Sequence, residues 1–451
     1  MSSIFEIAKS GLFASQKAAS TVSHNIANAN TPGYTRERSE LSAAVLRRNG
    51  YKIGRGVTIE TIQRLRNSLT DQQIMGKEND LGGLNERNRV YQQIESTLTT
   101  DAGNGLDTQL SDFFAAFSDL ANNPQDISVR NVMLSKAQTL TDTFKNTAHN
   151  LEDIARQTKH SAKSRVDEIN SLLQNLDKLN DDIARADAAG HPDLNGKDQQ
   201  LSQLKELSKL VDSKFIYNDN GTIEVRIGGI TVLNDEGAST VTAETAPGEN
   251  VFRLRLDNGK LIETGNGSLA ADIYMITEGI PDYQQKLDDM AQALVTEIND
   301  IHNSGYGLND SVQRTFFDAS NVSAQSISIN EQLLKNPENI AASSEPGEAG
   351  NGRIASELNA LKSEKILNGQ TMVSNAIELI SEPGTRVSEL KTQIETHESA
   401  LQLLKNQQQS QSGVNIDEEL TDLIKYQNAY QASARVLVAG RQMYDTLLSI
   451  V

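Results

Sequence analysis

The 451-residue chain has no cysteine and no tryptophan, only eight prolines, and aromatic residues make up just 4% of it. Without cysteine there is no disulfide framework, thiolate zinc site, iron–sulfur cluster or cysteine nucleophile. Surplus positive charge is missing too: 42 Lys and Arg stand against 60 Asp and Glu, a net charge of −18. Neutralising phosphate needs the opposite balance, so no nucleic-acid partner is expected. No apolar run is long enough to cross a bilayer, Val436-Leu437-Val438-Ala439 being typical of the longest, so no membrane partner is expected either. The start, Met1-Ser2-Ser3-Ile4-Phe5-Glu6, carries a carboxylate where a cleaved signal peptide is basic and then apolar. Few aromatics and 37% apolar residues imply thin cores, and so elongated helical layers rather than one thick globule.

Candidate chemistry is sparse. Gly265-Asn266-Gly267-Ser268-Leu269-Ala270 satisfies the G-x-G-x-x-A pattern of dinucleotide sites. That chemistry needs a helix of several turns after the glycines and a parallel βαβ unit around them. Gly279-Ile280-Pro281 is expected to cut such a helix short, and the strands before it read as antiparallel hairpins. None of the six histidines falls in H-E-x-x-H. His302, beside Asp300 and Asn299, reads as a solvated helix residue. Asp193-Leu194-Asn195-Gly196 and Asn218-Asp219-Asn220-Gly221 lack the bidentate glutamate that ends a calcium loop, and read as turns. The expectation is a protein that is not an enzyme, with no catalytic residues, no cofactor and no metal site.

Heptad order is what the chain does have, at both ends. Phe5, Leu12, Ala19 and Ile26 recur every seven residues, with Ala8, Ser15, Val22 and Ala29 three places after each. These residues are small, and at roughly 0.8 kcal/mol per buried CH2 such a helix is barely stable alone. Pro32 and Gly33 end it. At the far end Ile416, Leu420, Leu423, Gln427, Tyr430, Ala434, Leu437, Arg441, Tyr444, Leu448 and Val451 alternate steps of four and three. Asp417, Glu418 and Glu419 occupy its first turn, where the helix dipole favours carboxylates. So long an apolar face needs a partner, and the N- and C-terminal helices are predicted to pair as a coiled coil.

Between the ends, Leu110, Phe113, Phe114, Phe117 and Leu120 keep helical spacing, and a second run extends from Leu140 through Leu173 to Ile183. The period changes to two at Ile223-Glu224-Val225-Arg226-Ile227 and Phe252-Arg253-Leu254-Arg255-Leu256, with Asn220-Gly221 and Asn258-Gly259 at the turns. Pro281 opens another helix, and more are predicted over 353–368 and 370–408. The fold class is mainly α with a small β-rich insert, in an elongated, nested multi-domain chain. Residues 1–65 and 409–451 form a terminal coiled-coil domain, 66–211 and 279–408 a helical rod-like domain, and 212–278 a β-rich outer insert. Residues 1–70 hold ten basic and four acidic side chains. Their basic stretch, Arg36 to Arg66, reads as a subunit interface facing the acidic remainder rather than as a nucleic-acid arm.

The stretch Ser23-His24-Asn25-Ile26-Ala27-Asn28-Ala29-Asn30-Thr31-Pro32-Gly33-Tyr34 resembles the N-terminal signature of the axial proteins of the bacterial flagellum, which build rod, hook and junction. Tyr426-Gln427-Asn428-Ala429-Tyr430-Gln431-Ala432-Ser433-Ala434-Arg435-Val436 is similar to the C-terminal motif of the same family. Ile280-Pro281-Asp282-Tyr283, His302-Asn303-Ser304-Gly305-Tyr306 and Phe316-Phe317 extend the likeness into the middle. The resemblance implies a structural subunit that adapts hook to filament at their junction by self-assembly, or alternatively a hook or distal-rod subunit. It implies terminal helices that stay disordered in the free monomer and pack round an inner tube on assembly. Phe5, Ala8, Leu12, Ala19, Val22 and Ile26 then form an assembly interface. Ile416, Leu420, Leu423, Tyr430, Ala434, Leu437, Tyr444 and Leu448 serve assembly and an export chaperone. The implied partners are further copies of the chain in a ring or helical lattice, the hook protein, a second junction protein and that chaperone. The implied location is extracellular, on the flagellum, after export without a cleaved signal peptide. Gly440 should loosen the C-terminal helix by ~1 kcal/mol relative to Ala, and Asn309-Asp310 stands where an Asn-Gly turn is common in the family.

Overall fold

The computed structural model describes every residue except Met1, Pro32, 49–50, 100–104, 246–250, Asp310, Asn321 and Val451. Pro32 of the N-terminal motif, Val451 of the C-terminal seam and Asp310 therefore lie outside the described residues.

The chain opens with helix α1 (Ser2–Asn28) and a long antiparallel hairpin, β1 (Glu37–Arg48) and β2 (Tyr51–Arg64). Four helices follow: α2 (Ser68–Leu98), α3 (Leu106–Asn122), α4 (Ile127–Ala188) and α5 (Leu194–Leu210). Side chains start three of them, as Asn67, Asp126 and Asp193 accept the backbone N–H groups left free in the first turn. Strands β3 (Ser213–Tyr217), β4 (Ile223–Ile227), β5 (Ile230–Asn234) and β6 (Gly237–Ala238) pair in that order. A second sheet holds β7 (Val241–Thr245), β8 (Phe252–Leu256) and β9 (Leu261–Ile262). The chain returns through α6 (Ser268–Tyr274), α7 (Ile280–His302), α8 (Glu331–Lys335), α9 (Arg353–Ala360), α10 (Met372–Ser412) and α11 (Ile416–Ile450).

Helix α4 is the spine. Its 62 residues span about 93 Å at 1.5 Å per residue. One apolar stripe along it serves two cores in succession. Phe144 and Leu151 pack with Val90 and Ile94 of α2, Phe113, Phe114 and Phe117 of α3, Leu287 and Leu294 of α7, and Phe316 and Phe317. Farther along, Val166 and Leu173 pack with Leu204 and Leu207 of α5 and with Val225, Leu233 and Leu254 of the two sheets. The β-rich part thus shares its core with the far half of α4 and with α5.

Three expectations are corrected. The helix after Gly267 is not cut short at Gly279-Ile280-Pro281: a π-helical turn over Met275–Gly279 carries α6 straight into α7, with proline in the first turn. The glycines before it serve close packing in antiparallel surroundings. Gly267 has φ +97°, and a Cβ there would lie 2.7 Å from the Leu210 carbonyl oxygen. His302 is wholly buried rather than solvated. Its Nδ1 donates to the Arg314 carbonyl (2.7 Å) and its Nε2 accepts from the Ala341 amide (2.9 Å), and burial pushes its pKa down to about 4. Finally, the helix predicted over 353–368 ends at Ala360, and a tight turn follows in which Asn368 (φ 53°) and Gly369 (φ 72°) are both left-handed.

Candidate assembly interface

Helices α1 and α11 lie against each other. Asn25 of α1 meets Glu419 of α11, Gly11 meets Ser433, and Ile4 and Phe5 meet Gly440. Fourteen residues down one helix match fourteen up the other, so the pair is antiparallel and keeps a heptad register. The contact is close because its residues are small: Ala8, Ser15, Ala18 and Val22 are buried on the line of Gly11 and Asn25, while the Ser10 and Thr21 face of α1 lies on the hairpin. At Gly11 a Cβ would come 2.7 Å from Ser433 Oγ, so any larger residue there would force that hydroxyl to turn away. Gly440 is buried against Phe5 and Ile4 with room for a methyl group at ordinary contact distance.

The pair uses only part of each predicted seam. In α1, Ala8 and Val22 are buried, and Phe5, Leu12, Ala19 and Ile26 are half-buried. In α11, Leu423, Ala434 and Leu437 are half-buried, whereas Ile416, Leu420, Tyr430, Tyr444 and Leu448 stay exposed. The line turned to α1 is offset from the apolar one. It runs through Glu419, Tyr426, Ser433 and Gly440, a seven-residue spacing that an apolar count passes over because two of the four are polar. Beside it, α11 presents a second apolar strip that adds Ile424 and Val438, while Val436 and Met443 are exposed on its other flank and α1 exposes Ile7 and Phe13.

The N-terminal motif closes this pair at one end. Asn25 is fully buried and all its polar capacity is used. Its Nδ2 donates to the Glu37 carbonyl (2.8 Å) and to Glu419 Oε2 (2.9 Å), while its Oδ1 accepts from Tyr34 Oη (2.7 Å) and the Glu37 amide (2.9 Å). Tyr34 Oη also lies 3.1 Å from His24 Nδ1. Burial raises the pKa of the Tyr34 hydroxyl and of the Glu37 carboxyl, the latter against the opposing pull of His24. Ser23 Oγ donates to the Ala19 carbonyl, and Asn28 Nδ2 to that of His24. Thr31 Oγ1 donates to Asn28 Oδ1, and Gly33 takes a left-handed φ of +79° in the turn that follows. Ala27 and Asn30 are exposed. The motif is therefore a turn and a clamp.

Arginines at the base of the hairpin extend the clamp to three different helices. Arg36 donates through Nε to Glu419 (2.6 Å) and through Nη1 to Glu418 (3.0 Å) of α11. Arg64 binds Asp198 of α5, which also accepts from the Thr35 amide (3.1 Å) and hydroxyl (2.9 Å). Arg66 binds Asp71 of α2, which also accepts from Gln408 of α10. Part of the basic stretch read as a subunit interface is thus consumed inside the chain. Higher on the hairpin, Arg38, Leu41, Val45 and Arg55 remain exposed. Asp71, Asp198, Ser433 and Tyr426 carry no sequence signal that links them to the hairpin or to α1. Their partners are remote in the chain. Among the described residues no group of three or more His, Asp or Glu side chains is placed to hold a metal ion, and no helix is long and apolar enough to cross a membrane.

Three family models match the chain: the flagellar hook-associated protein FlgK helical domain over residues 91–317, the flagella basal body rod protein over 5–35, and the C-terminal part of the flagellar basal body rod FlgEFG protein over 406–450. Among curated relatives, flagellar hook-associated protein 1 of Bacillus subtilis is 27% identical over 494 residues, covering 98% of this chain and 97% of the relative. That of Salmonella typhimurium is 27% identical over 560 residues and covers both chains in full. A solved structure, the flagellar hook junction protein FlgK from Burkholderia pseudomallei, shares the fold with a TM-score of 0.67 at 12% identity, over 75% of this chain and 99% of that one.

Proposed function

The chain belongs to the flagellar hook-associated protein FlgK family, and from that premise we propose that it is a structural subunit of the hook–filament junction. It is not an enzyme in this reading. It adapts hook to filament by self-assembly. One observation carries the reading. The helix pair formed by the two chain ends buries one face of α11 against α1 and leaves beside it, from Ile416 through Ile424 and Val438 to Leu448, an apolar strip in water that Gln427, Gln431 and Arg441 interrupt. Such a strip is a contact in waiting. In a ring or helical lattice it faces further copies of the chain, with the hook protein on one side and a second junction protein on the other. Before assembly the same strip calls for an export chaperone. The subunit reaches the flagellum outside the cell by export without a cleaved signal peptide.

A hook or distal-rod subunit is the second reading, favoured by the two terminal models, both of rod proteins. The match to the FlgK helical-domain model over 91–317 favours the junction. Deleting the gene separates them. A junction subunit leaves complete hooks that lack filaments and releases filament subunits into the medium. Loss of the hooks themselves would show that the second reading is right.

A further inference from the structure

Between the two apolar cores the helices carry charge. Glu86 and Arg89 of α2, Arg165 of α4 and Asp272 of α6 meet where α4 passes from one core to the other. Asp272 is wholly buried and Glu86 nearly so. Arg165 turns one edge of its guanidinium to both carboxyl groups: Nη2 binds Glu86 Oε2, and Nε lies 3.0 Å from Asp272 Oδ2. Nε and Nη2 are neighbours on that edge, so the two carboxyl groups are brought side by side. Arg89 binds the other Glu86 oxygen, its Nε at 2.8 Å. Both Glu86 oxygens are thus engaged, whereas neither Asp272 oxygen has the alignment of a hydrogen bond to the guanidinium. The charged groups facing Asp272 are Glu86 and Arg89 from α2 and Arg165 from α4. On α5, Glu206 and Lys209 point to solvent and pair with each other at 2.7 Å.

We infer that Asp272 is protonated in the folded chain and shares its proton with Glu86, so that the waist between the helical body and the β-rich end is a latch closed by one proton. Two anions on a single guanidinium edge, away from water, repel each other, and keeping a proton between them is the cheaper state. Burial, and then the Glu86 carboxylate, hold the Asp272 carboxyl up at about 8. Glu86, which burial alone would raise, is held down to about 2 by hydrogen bonds from Arg89, Asp272 and Arg165. When Asp272 ionises, α6 and the π turn that follows are repelled from α2.

The sign follows from linkage. The Asp272 carboxyl ionises near 3.8 in the unfolded chain and near 8 in the folded one. Across that interval the folded chain holds the extra proton, so stability falls as pH rises. His302 acts with the opposite sign, but only below 6.5. Urea unfolding of the full chain between about pH 6.5 and about pH 8, on a Glu37→Gln background because burial raises that carboxyl too, therefore isolates the latch, and the unfolding constant should rise by up to about tenfold per pH unit. Asp272→Asn should remove that slope, and Glu86→Gln, which leaves Arg165 a single carboxylate to pair with while Asp272 stays buried, should move it to lower pH. A merely structural Asp272 would lose stability on substitution and keep the slope, which would overturn the proposal. Infrared spectroscopy of the unaltered protein gives a test that needs no variant. A protonated-carboxyl band should be present at about pH 7 and lost by about pH 9.5; its absence at neutral pH would be equally fatal.

Discussion

Replacing Ile424 and Leu437 separately by alanine tests what the two faces of α11 are for. Ile424 is 58% exposed in the single chain. Full burial of an isoleucine contributes about 1.5–3 kcal/mol, so the truncation removes at most about 1 kcal/mol. Alanine returns a few tenths of that as the better helix former. The lone chain should therefore hardly notice. If neighbouring subunits cover Ile424 in the lattice, the same change costs roughly 2–5 kcal/mol per copy. Leu437 is half-buried toward α1, so its alanine variant should weaken both the intramolecular pair and the assembly. The assay has two arms. Urea unfolding and amide exchange report on the purified chain, and hooks that keep filaments after shear are counted in a deletion strain complemented with each variant. Ile424→Ala should match the unaltered protein in the first arm and lose filaments in the second. Normal filament retention by Ile424→Ala would refute the claim that the outer strip is an assembly contact, and so would a loss in the lone chain as large as that of Leu437→Ala.

Asn25→Ala should release the start of α11 from α1. Four groups lose a partner, the Glu419 carboxylate fully buried and those of Tyr34 and Glu37 half-buried, each at up to about 1–3 kcal/mol, so exchange of the Glu37 amide should accelerate about a hundredfold while the helical body melts as before. An unchanged Glu37 amide would contradict this. His302 sets an acid limit. Its pKa drops from 6.5 to about 4 on folding, so the unfolded chain binds the extra proton between those values. Taken alone this lowers stability as pH falls through that window, by up to about 1.4 kcal/mol per unit, but Asp272 gains as much over the same interval, so the unaltered chain should be nearly flat there. Urea unfolding at a series of pH values should uncover the decline in Asp272→Asn, and adding His302→Gln should abolish it again.

The sequence made local features legible and left the remote ones hidden. Asn220-Gly221 and Asn258-Gly259 mark their turns because left-handed backbone is a demand of one or two residues. The Phe113, Phe114 and Phe117 face stands out because one helix turn spaces it. His302 was misread because the groups that hold it, the Arg314 carbonyl and the Ala341 amide, arrive from a loop and a turn well down the chain. The orientation of α11 escaped for a related reason. An apolar strip announces that a helix is sticky, but here the first partner is chosen by Gly11, Ser433 and the Asn25–Glu419 contact, where size and hydrogen bonding outrank hydrophobicity. Asp272 gives no signal in sequence at all, since an aspartate in a short helix reads as solvated until three helices enclose it.

The grip of Arg36, Arg64 and Arg66 has a mechanical consequence. All three leave the same narrow ribbon, yet each is anchored on a different long helix. Twist applied along the terminal rods reaches the remainder of the subunit through that ribbon, concentrated at one short crossbar instead of being spread along the rods. Ionic links of this sort stretch and re-form, whereas packed phenylalanines do not. The crossbar therefore couples α11 to α5 and α2 through charge pairs rather than through the packed cores.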